Sequence, residues 1–205
     1  GGGGGPVGAD GATGAAVQGS EGALGEDAGA DSAGSGSTVP SLPTPFTAEQ
    51  IRAAFPLGTH LVFALEPAKG GSMRSDWLVV RSTDERVTIR YTTYGADGVT
   101  VLDGPTTSSD TWEALQGHAR FPEAEATRAQ GQVPTPSGPK PGWIYTRTER
   151  KGGATVVTSY RFSSELPGPP TEMVTTKDGA PSLTMRMVVR DTQPVPAGAA
   201  PPSDE

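Results

Sequence analysis

Residues 142–170 read GWIYTRTERKGGATVVTSYRFSSELPGPP, and they give the strongest indication of the fold class. Aromatic residues alternate with other residues on both sides of the central KGG: Trp143 and Tyr145 come before it, and Tyr160 and Phe162 come after it. An alternation with a period of two is typical of strands that have one buried face. The stretch therefore predicts two antiparallel strands joined by a tight turn. The prolines of LPGPP lack an N–H, so we expect them at an edge or a corner of the sheet.

The same alternation recurs on both sides of this hairpin. It predicts further strands between Gly58 and Pro67 and at 75–83, 85–94, 99–102, 123–133, 171–179 and 182–190. The first four of these are separated by short turns and should form an antiparallel meander. In the last one, Leu183, Met185, Met187 and Val189 should share one face.

Two short helices are predicted between the strands. Thr47 is a good N-cap with Gln50 in the capping-box position, so a helix should run over 48–55 and end at Pro56. A second helix of about three turns at most should start after Asp110. Together these elements predict a mainly β (α+β) domain. It would be a curved antiparallel meander sheet, or an open barrel, of about 8–9 strands with one or two short helices packed against it.

The two ends of the chain differ from its middle. All twelve aromatic residues lie between Phe46 and Phe162. Residues 1–45 are rich in Gly, Ala, Ser and Pro, and a segment without aromatic residues cannot bury enough apolar surface to offset its ordering entropy. We therefore predict a disordered acidic tether at 1–45, a single β-rich domain at 46–191 and a disordered tail at 192–205.

Charge and composition exclude several classes of function. The seven acidic residues of the two ends account for the formal net charge of −7, so the middle is neutral and has no basic patch for nucleic acid. The chain has no Cys, which excludes disulfides, thiolate zinc sites and cysteine nucleophiles. No run of residues approaches the 18 apolar residues of a membrane span. The leading GGGGG lacks an initiator Met, and we interpret the chain as a processed product.

No motif in the sequence points to catalysis, a metal or a cofactor. His60 and His118 lack a metal-ligand spacing, and we expect structural or surface roles for both. Glu123 and Glu125 would project to one side of a strand, but their context predicts a solvated edge rather than a catalytic pair. The Gly-rich segments GGS and KGG lack the setting of a phosphate-binding loop and are better explained as turns.

The large apolar side chains are the remaining candidates for binding. Most of them should belong to the core. If they line an open barrel, they would instead form an apolar pocket for a lipid or a peptide. The candidates for such a pocket are Trp112, Trp143, Tyr145, Tyr160, Phe162, Met185 and Met187.

The order of features in residues 133–190 resembles the C-terminal half of secreted bacterial lipoproteins of unknown function. It runs from a VPTPSG turn through WIYT, the KGG turn, YRFS and LPGPP to two closing strands. These lipoproteins are similar in outline to half-barrel carriers of the LolA and LppX kind. The Gly-rich leader resembles their tether. The resemblance implies a removed signal peptide and a lipid-bearing Cys before Gly1. It also implies a location in the cell envelope (periplasm or outer membrane) or secretion, and in the carriers an apolar cavity between sheet and helices.

These observations favour a non-catalytic envelope domain that acts as a binding or scaffold module on a flexible tether. One alternative is a half-barrel carrier of a lipid or another apolar ligand, and another is an enzyme of unidentified class. The expected partners are a lipid or a protein of the envelope, without nucleic acid. Contact with a membrane would come only through the inferred anchor. The sequence leaves the oligomeric state open.

Overall fold

The computed structural model describes residues 40–196. In this part the chain is mainly β, with nine antiparallel strands in one unclosed, curved sheet and two short helices. The predicted fold class is therefore confirmed. The predictions for residues 1–39 and 197–205 lie outside the described residues.

The strands and helices follow the predicted order. The strands are β1 Thr59–Pro67, β2 Met73–Ser82, β3 Arg86–Tyr94, β4 Val101–Thr111, β5 Ala126–Val133, β6 Lys140–Lys151, β7 Ala154–Ser163, β8 Glu172–Lys177 and β9 Ala180–Thr192. The helices are α1 Ala48–Ala54, before β1, and α2 Trp112–Gly117, between β4 and β5.

The sheet consists of two meanders joined in the middle. Its strand order is β4-β3-β2-β1-β9-β8-β7-β6-β5, so every pair except β1–β9 joins strands that are consecutive in the chain. The first meander, β1 to β4, is the predicted one. Strands β4 and β5 end the order and are the two edges of the sheet among the described residues.

The predicted hairpin is formed by β6 and β7. Trp143 lies opposite Phe162 and Tyr145 opposite Tyr160, and the turn uses two glycines with positive φ at 152 and 153. LPGPP connects β7 to β8, which are neighbours inside the sheet, so it forms a corner and not a sheet edge. This corner packs against α1, because a Cβ at Gly168 would lie 2.5 Å from the ring of Phe55.

One face of the sheet, here called the inner face, carries the core. It is the face of Leu61, Phe63 and Leu65, and both helices contribute to the same buried cluster. Helix α1 starts with the predicted capping box between Thr47 and Gln50. The core residues are Phe46, Ile51, Phe55, Leu61, Phe63, Leu65, Val79, Val87, Ile89, Trp112, Phe121, Ala126, Tyr145, Phe162 and Met187.

Helix α2 begins later than predicted. Its N-cap is Thr111, whose hydroxyl accepts from the N–H of Ala114 (3.2 Å), and not Asp110. The difference arises because β4 continues to pair with β3 through Asp110 and Thr111. The sheet, and not the local capping preference, therefore sets the start of the helix.

A bulge in the central strand pair changes which residues of β9 face inward. The register between β1 and β9 shifts between Val62 and Phe63, so Val189 lies opposite Val62 and Arg190 lies opposite Leu61. The prediction that Val189 shares a face with Leu183 and the two methionines is therefore wrong. A strict period of two holds only while the strand has no extra residue.

The bulge places Arg190 on the inner face, under α1. Its guanidinium donates to the carbonyl oxygens of Ala54 (2.9 Å) and Pro167 (3.2 Å) and lies 5.4 Å from the centre of the Phe55 ring. Burial lowers the pKa of this guanidinium. Arg190 thus ties the C-terminus of α1 and the LPGPP corner to the centre of the sheet.

The ordered contacts begin before the predicted domain boundary at residue 46. The N–H of Leu42 donates to the carbonyl oxygen of Phe121 (2.8 Å), and the hydroxyl of Tyr145 donates to that of Pro43 (2.5 Å). At the other end, the N–H of Gln193 donates to the carbonyl oxygen of Gly58 (2.8 Å). These bonds use backbone groups of the flanking segments, and the side chain of Leu42 also packs against the core.

We predict that Gly142→Ala destabilises the fold by about 1–3 kcal/mol or more, because a Cβ there would overlap the carbonyl oxygen of Phe162 and approach Val133 Cγ2 to 2.9 Å. The matched control is Gly131→Ala on the paired strand. Its Cβ would meet only the movable Cδ1 of Ile144, at 3.3 Å, so we expect a change within about 0.5 kcal/mol. Urea unfolding measures both, and equal stabilities for the two variants would contradict this packing.

Candidate functional site

Six of the seven residues predicted for an apolar pocket lie together on the inner face of β6, β7 and β9. Tyr145, Phe162 and Met187 are fully or almost fully buried, and Trp143, Tyr160 and Met185 are half-buried. Trp112 lies at the start of α2, where its indole N–H donates to the carbonyl oxygen of Thr83 (3.0 Å). The six strand residues thus share one region of the inner face, and Trp112 joins the same buried cluster from a helix.

These side chains are packed against other aromatic rings. The Phe46 ring lies 5.6 Å from that of Trp143, and the Phe121 ring lies 5.0 Å from Tyr145 and 4.9 Å from Tyr160. Burial raises the pKa of the hydroxyls of Tyr145 and Tyr160. In the described part of the chain this region of the inner face is occupied by protein side chains.

An open groove of about 470 Å³ lies where β5 ends and β6 begins. Its lining consists of Gln130, Gly131, Gln132, Pro141, Gly142, Trp143 and Ser164. The register places Gln130 opposite Trp143 and Gln132 opposite Pro141, so these four share the inner face, while the two glycines pair directly between them. Side chains at the two glycine positions would point to the opposite face, where a Cβ at Gly131 would meet Ile144 Cδ1, so the glycines contribute only backbone to the groove.

The groove is neutral and rich in hydrogen-bonding groups. Its polar side chains are the exposed amides of Gln130 and Gln132 and the hydroxyl of Ser164, which donates to the Pro141 carbonyl oxygen (3.0 Å). The half-buried indole of Trp143 adds apolar surface, with the guanidinium of Arg128 5.6 Å from its ring centre. Such a lining binds by stacking and hydrogen bonds, and none of its side chains is an acid or a base.

Of the predicted site residues, only Trp143 lines this groove. The sequence analysis did not single out Gln130, Gln132 or Ser164. A usable indication was present in the two strand glycines, because a glycine inside a strand often marks a close approach by a ligand or another backbone. That Gly131 and Gly142 are paired could be known only from the register.

The two histidines are far from forming a joint site. His60 is buried on the outer face of β1, with Nδ1 2.8 Å from Asp191 Oδ1 and Nε2 3.5 Å from Asp76 Oδ2. Arg74 also donates two hydrogen bonds to the carboxylate of Asp76. His118 is exposed at the C-cap of α2. His60 is therefore a polar link between three strands.

The two glutamates predicted on one side of a strand lie in a turn instead. Strand β5 starts at Ala126, and residues 123–125 precede it. The carboxylate of Glu125 accepts from Arg147 (2.9 Å), while the Glu123 N–H donates to the Pro40 carbonyl oxygen (2.9 Å). The predicted strand was too long at its start because the contacts of residue 40 hold this turn.

The most buried carboxylate among the described residues belongs to Glu172, on the outer face. It lies opposite Arg161 on β7 and Arg186 on β9, and both guanidiniums donate to it, Arg186 at 2.7 and 2.9 Å. The glutamate side chain is 3% exposed, whereas the arginines are 37% and 53% exposed. The arrangement ties three neighbouring strands together.

The described residues contain no group of three or more His, Cys, Asp or Glu that could hold a metal ion. In the same range, no helix is long and apolar enough to cross a membrane. Comparison of the sequence with protein-family models and with curated proteins finds no match.

We predict that Glu172→Gln lowers the free energy of unfolding by about 1–3 kcal/mol, because it weakens charge-assisted hydrogen bonds to a buried acceptor. Glu149→Gln is the matched control. It removes a more exposed carboxylate, 2.9 Å from Arg147, and should cost less than about 1 kcal/mol. Urea unfolding of both variants tests this, and a larger effect of Glu149→Gln would refute the assignment.

Proposed function

We propose that this chain is a non-catalytic binding module of the cell envelope. Its binding surface would be the groove where β5 ends and β6 begins. The observation that carries the proposal is the lining of the groove. It combines an indole, two amides and a hydroxyl, and it contains no ionisable side chain. These groups suit a neutral ligand with hydrogen-bonding groups, such as a peptide backbone or a polyol.

The packing of the inner face favours a binding module over a carrier. A half-barrel carrier needs an apolar cavity between sheet and helices. Here Phe46 and Phe121 fill the region around Tyr145 and Phe162, which are fully or almost fully buried. An acyl chain would have to displace these rings from their contacts.

The groove gives a direct test of binding. A photo-crosslinking amino acid is placed at Gln132 or, as the control, at Thr107, and the protein is expressed in its native host. We expect the residue at 132 to form an adduct with a molecule other than this chain in several-fold higher yield than the residue at 107. Both positions are exposed and lie on the edge strands β5 and β4. Adding Gln130→Ala should lower the yield at 132, because Gln130 lines the same groove. Equal yields at 132 and 107, or none at either, would refute the proposal.

The envelope location rests on the resemblance of the Gly-rich leader to lipoprotein tethers. If it is correct, the full encoded precursor expressed in its host should incorporate labelled palmitate and fractionate with membranes. The control is a version in which Ala replaces the residue encoded before Gly1; it should lose the label. A precursor that remains unlabelled would remove the lipid anchor from the proposal and leave the groove unaffected.

A further inference from the structure

The two edges of the sheet differ in how open they are to another strand. Edge strand β4 contains Pro105, has two register shifts against β3 and carries exposed Asp103. Prolines, bulges and charges are the features with which proteins protect an edge from pairing. Edge strand β5 contains no proline and pairs with β6 through eight consecutive residues without a register shift, and its one charged residue is Arg128.

The ladder shows which backbone groups of β5 have no hydrogen-bonding partner among residues 40–196. The Thr148 N–H donates to the Glu125 carbonyl oxygen (2.9 Å), so in the regular β5–β6 register Thr127, Ala129, Gly131 and Val133 face β6. The alternate residues then direct their N–H and C=O groups away from the sheet. These residues are Ala126, Arg128, Gln130 and Gln132, and the last three are exposed.

The sequence of β5 is compatible with pairing to itself. Arg128 is its single charged residue. In an antiparallel pair with Gln130 opposite its own copy, Arg128 faces Gln132 of the second copy. The two Arg128 positions are then four residues apart, or about 13 Å along the strand. If Ala129 lies opposite its own copy instead, the two Arg128 positions are diagonal neighbours about 7–8 Å apart. If Arg128 lies opposite its own copy, the two charges face each other directly. Charge therefore favours Gln130 at the centre.

We propose that a second copy of this chain adds its β5 to β5 in antiparallel orientation, with Gln130 on the two-fold axis. Three opposed pairs, 128 with 132, 130 with 130 and 132 with 128, would exchange about six backbone hydrogen bonds. Because a two-fold axis perpendicular to the sheet preserves its faces, the two grooves would meet at the axis. The proposal goes beyond the proposed function, since it depends on the backbone of β5 and not on the groove side chains.

Sedimentation of the purified chain with Gln130→Pro and Gln130→Ala tests the pairing. Both variants lose the amide, but only proline also removes the outward N–H, which an edge strand tolerates. We expect a reversible, concentration-dependent dimer for the unchanged chain and for Gln130→Ala, and at least a tenfold weaker dimer for Gln130→Pro. A chain that stays monomeric at its highest soluble concentration, or a dimer that survives Gln130→Pro, would overturn the proposal.

A cysteine test does not depend on the proline variant folding. The chain has no Cys, so Gln130→Cys introduces a single thiol. Directly opposed residues in a hydrogen-bonded antiparallel pair have Cα atoms about 5.5 Å apart, which suits a disulfide. Gln130→Cys should therefore form a disulfide dimer under mild oxidation, and Gln132→Cys, which faces Arg128 of the second copy, should not. Equal crosslinking of the two would overturn this register. If the chain is monomeric but residue 132 still crosslinks to another kind of molecule, the dimer is refuted and the proposed function is not affected.

Discussion

Strands β1 and β9 pair at the centre of the sheet, and this pairing joins the two halves of the chain. It connects Thr59 with Thr192 and Leu65 with Met185, residues more than a hundred positions apart. All other strand pairs are local. Forming this pair costs the loop-closure entropy of the long segment between β1 and β9. Because the pair joins the two meanders in one sheet, we expect them to unfold together.

The bulge in that central pair also determines how the helix attaches. By turning Arg190 inward, it supplies a cation beneath α1 whose hydrogen bonds reach Ala54 and Pro167. The carbonyl groups at the end of a helix need such partners, and Arg190 satisfies one of them. The stretch 40–46, α1 and the LPGPP corner then cover the inner face, where the aromatic rings pack against one another.

With the inner face covered, the surfaces that remain for binding are the outer face and the edges. The outer face uses its ionisable groups on itself, as in the contacts of Glu172 with two arginines and of His60 with two aspartates. The Glu172 carboxylate accepts three hydrogen bonds from the two arginines and so links three neighbouring strands. Among residues 40–196, the neutral groove and the edge of β5 are accessible.

The fold class and most of the local structure follow from patterns in the amino-acid sequence. The alternation around Trp143 and Phe162 predicted β6 and β7, and Thr47 with Gln50 predicted the start of α1, because these patterns depend on neighbours only a few residues away. Near the candidate site it predicted Trp143 alone, since a large aromatic residue is visible in a sequence and a groove is not.

The features that depend on the register between distant strands are visible only in the tertiary structure. The pairing of Gly131 with Gly142, the inward position of Arg190 and the choice of β5 as an edge each require knowing which residue lies opposite which. A one-residue change of register moves a side chain to the other face of a sheet, and no local pattern in this chain records the bulge at Val62. The fold class was therefore accessible from local chemistry, whereas the groove and the open edge arise from long-range pairing.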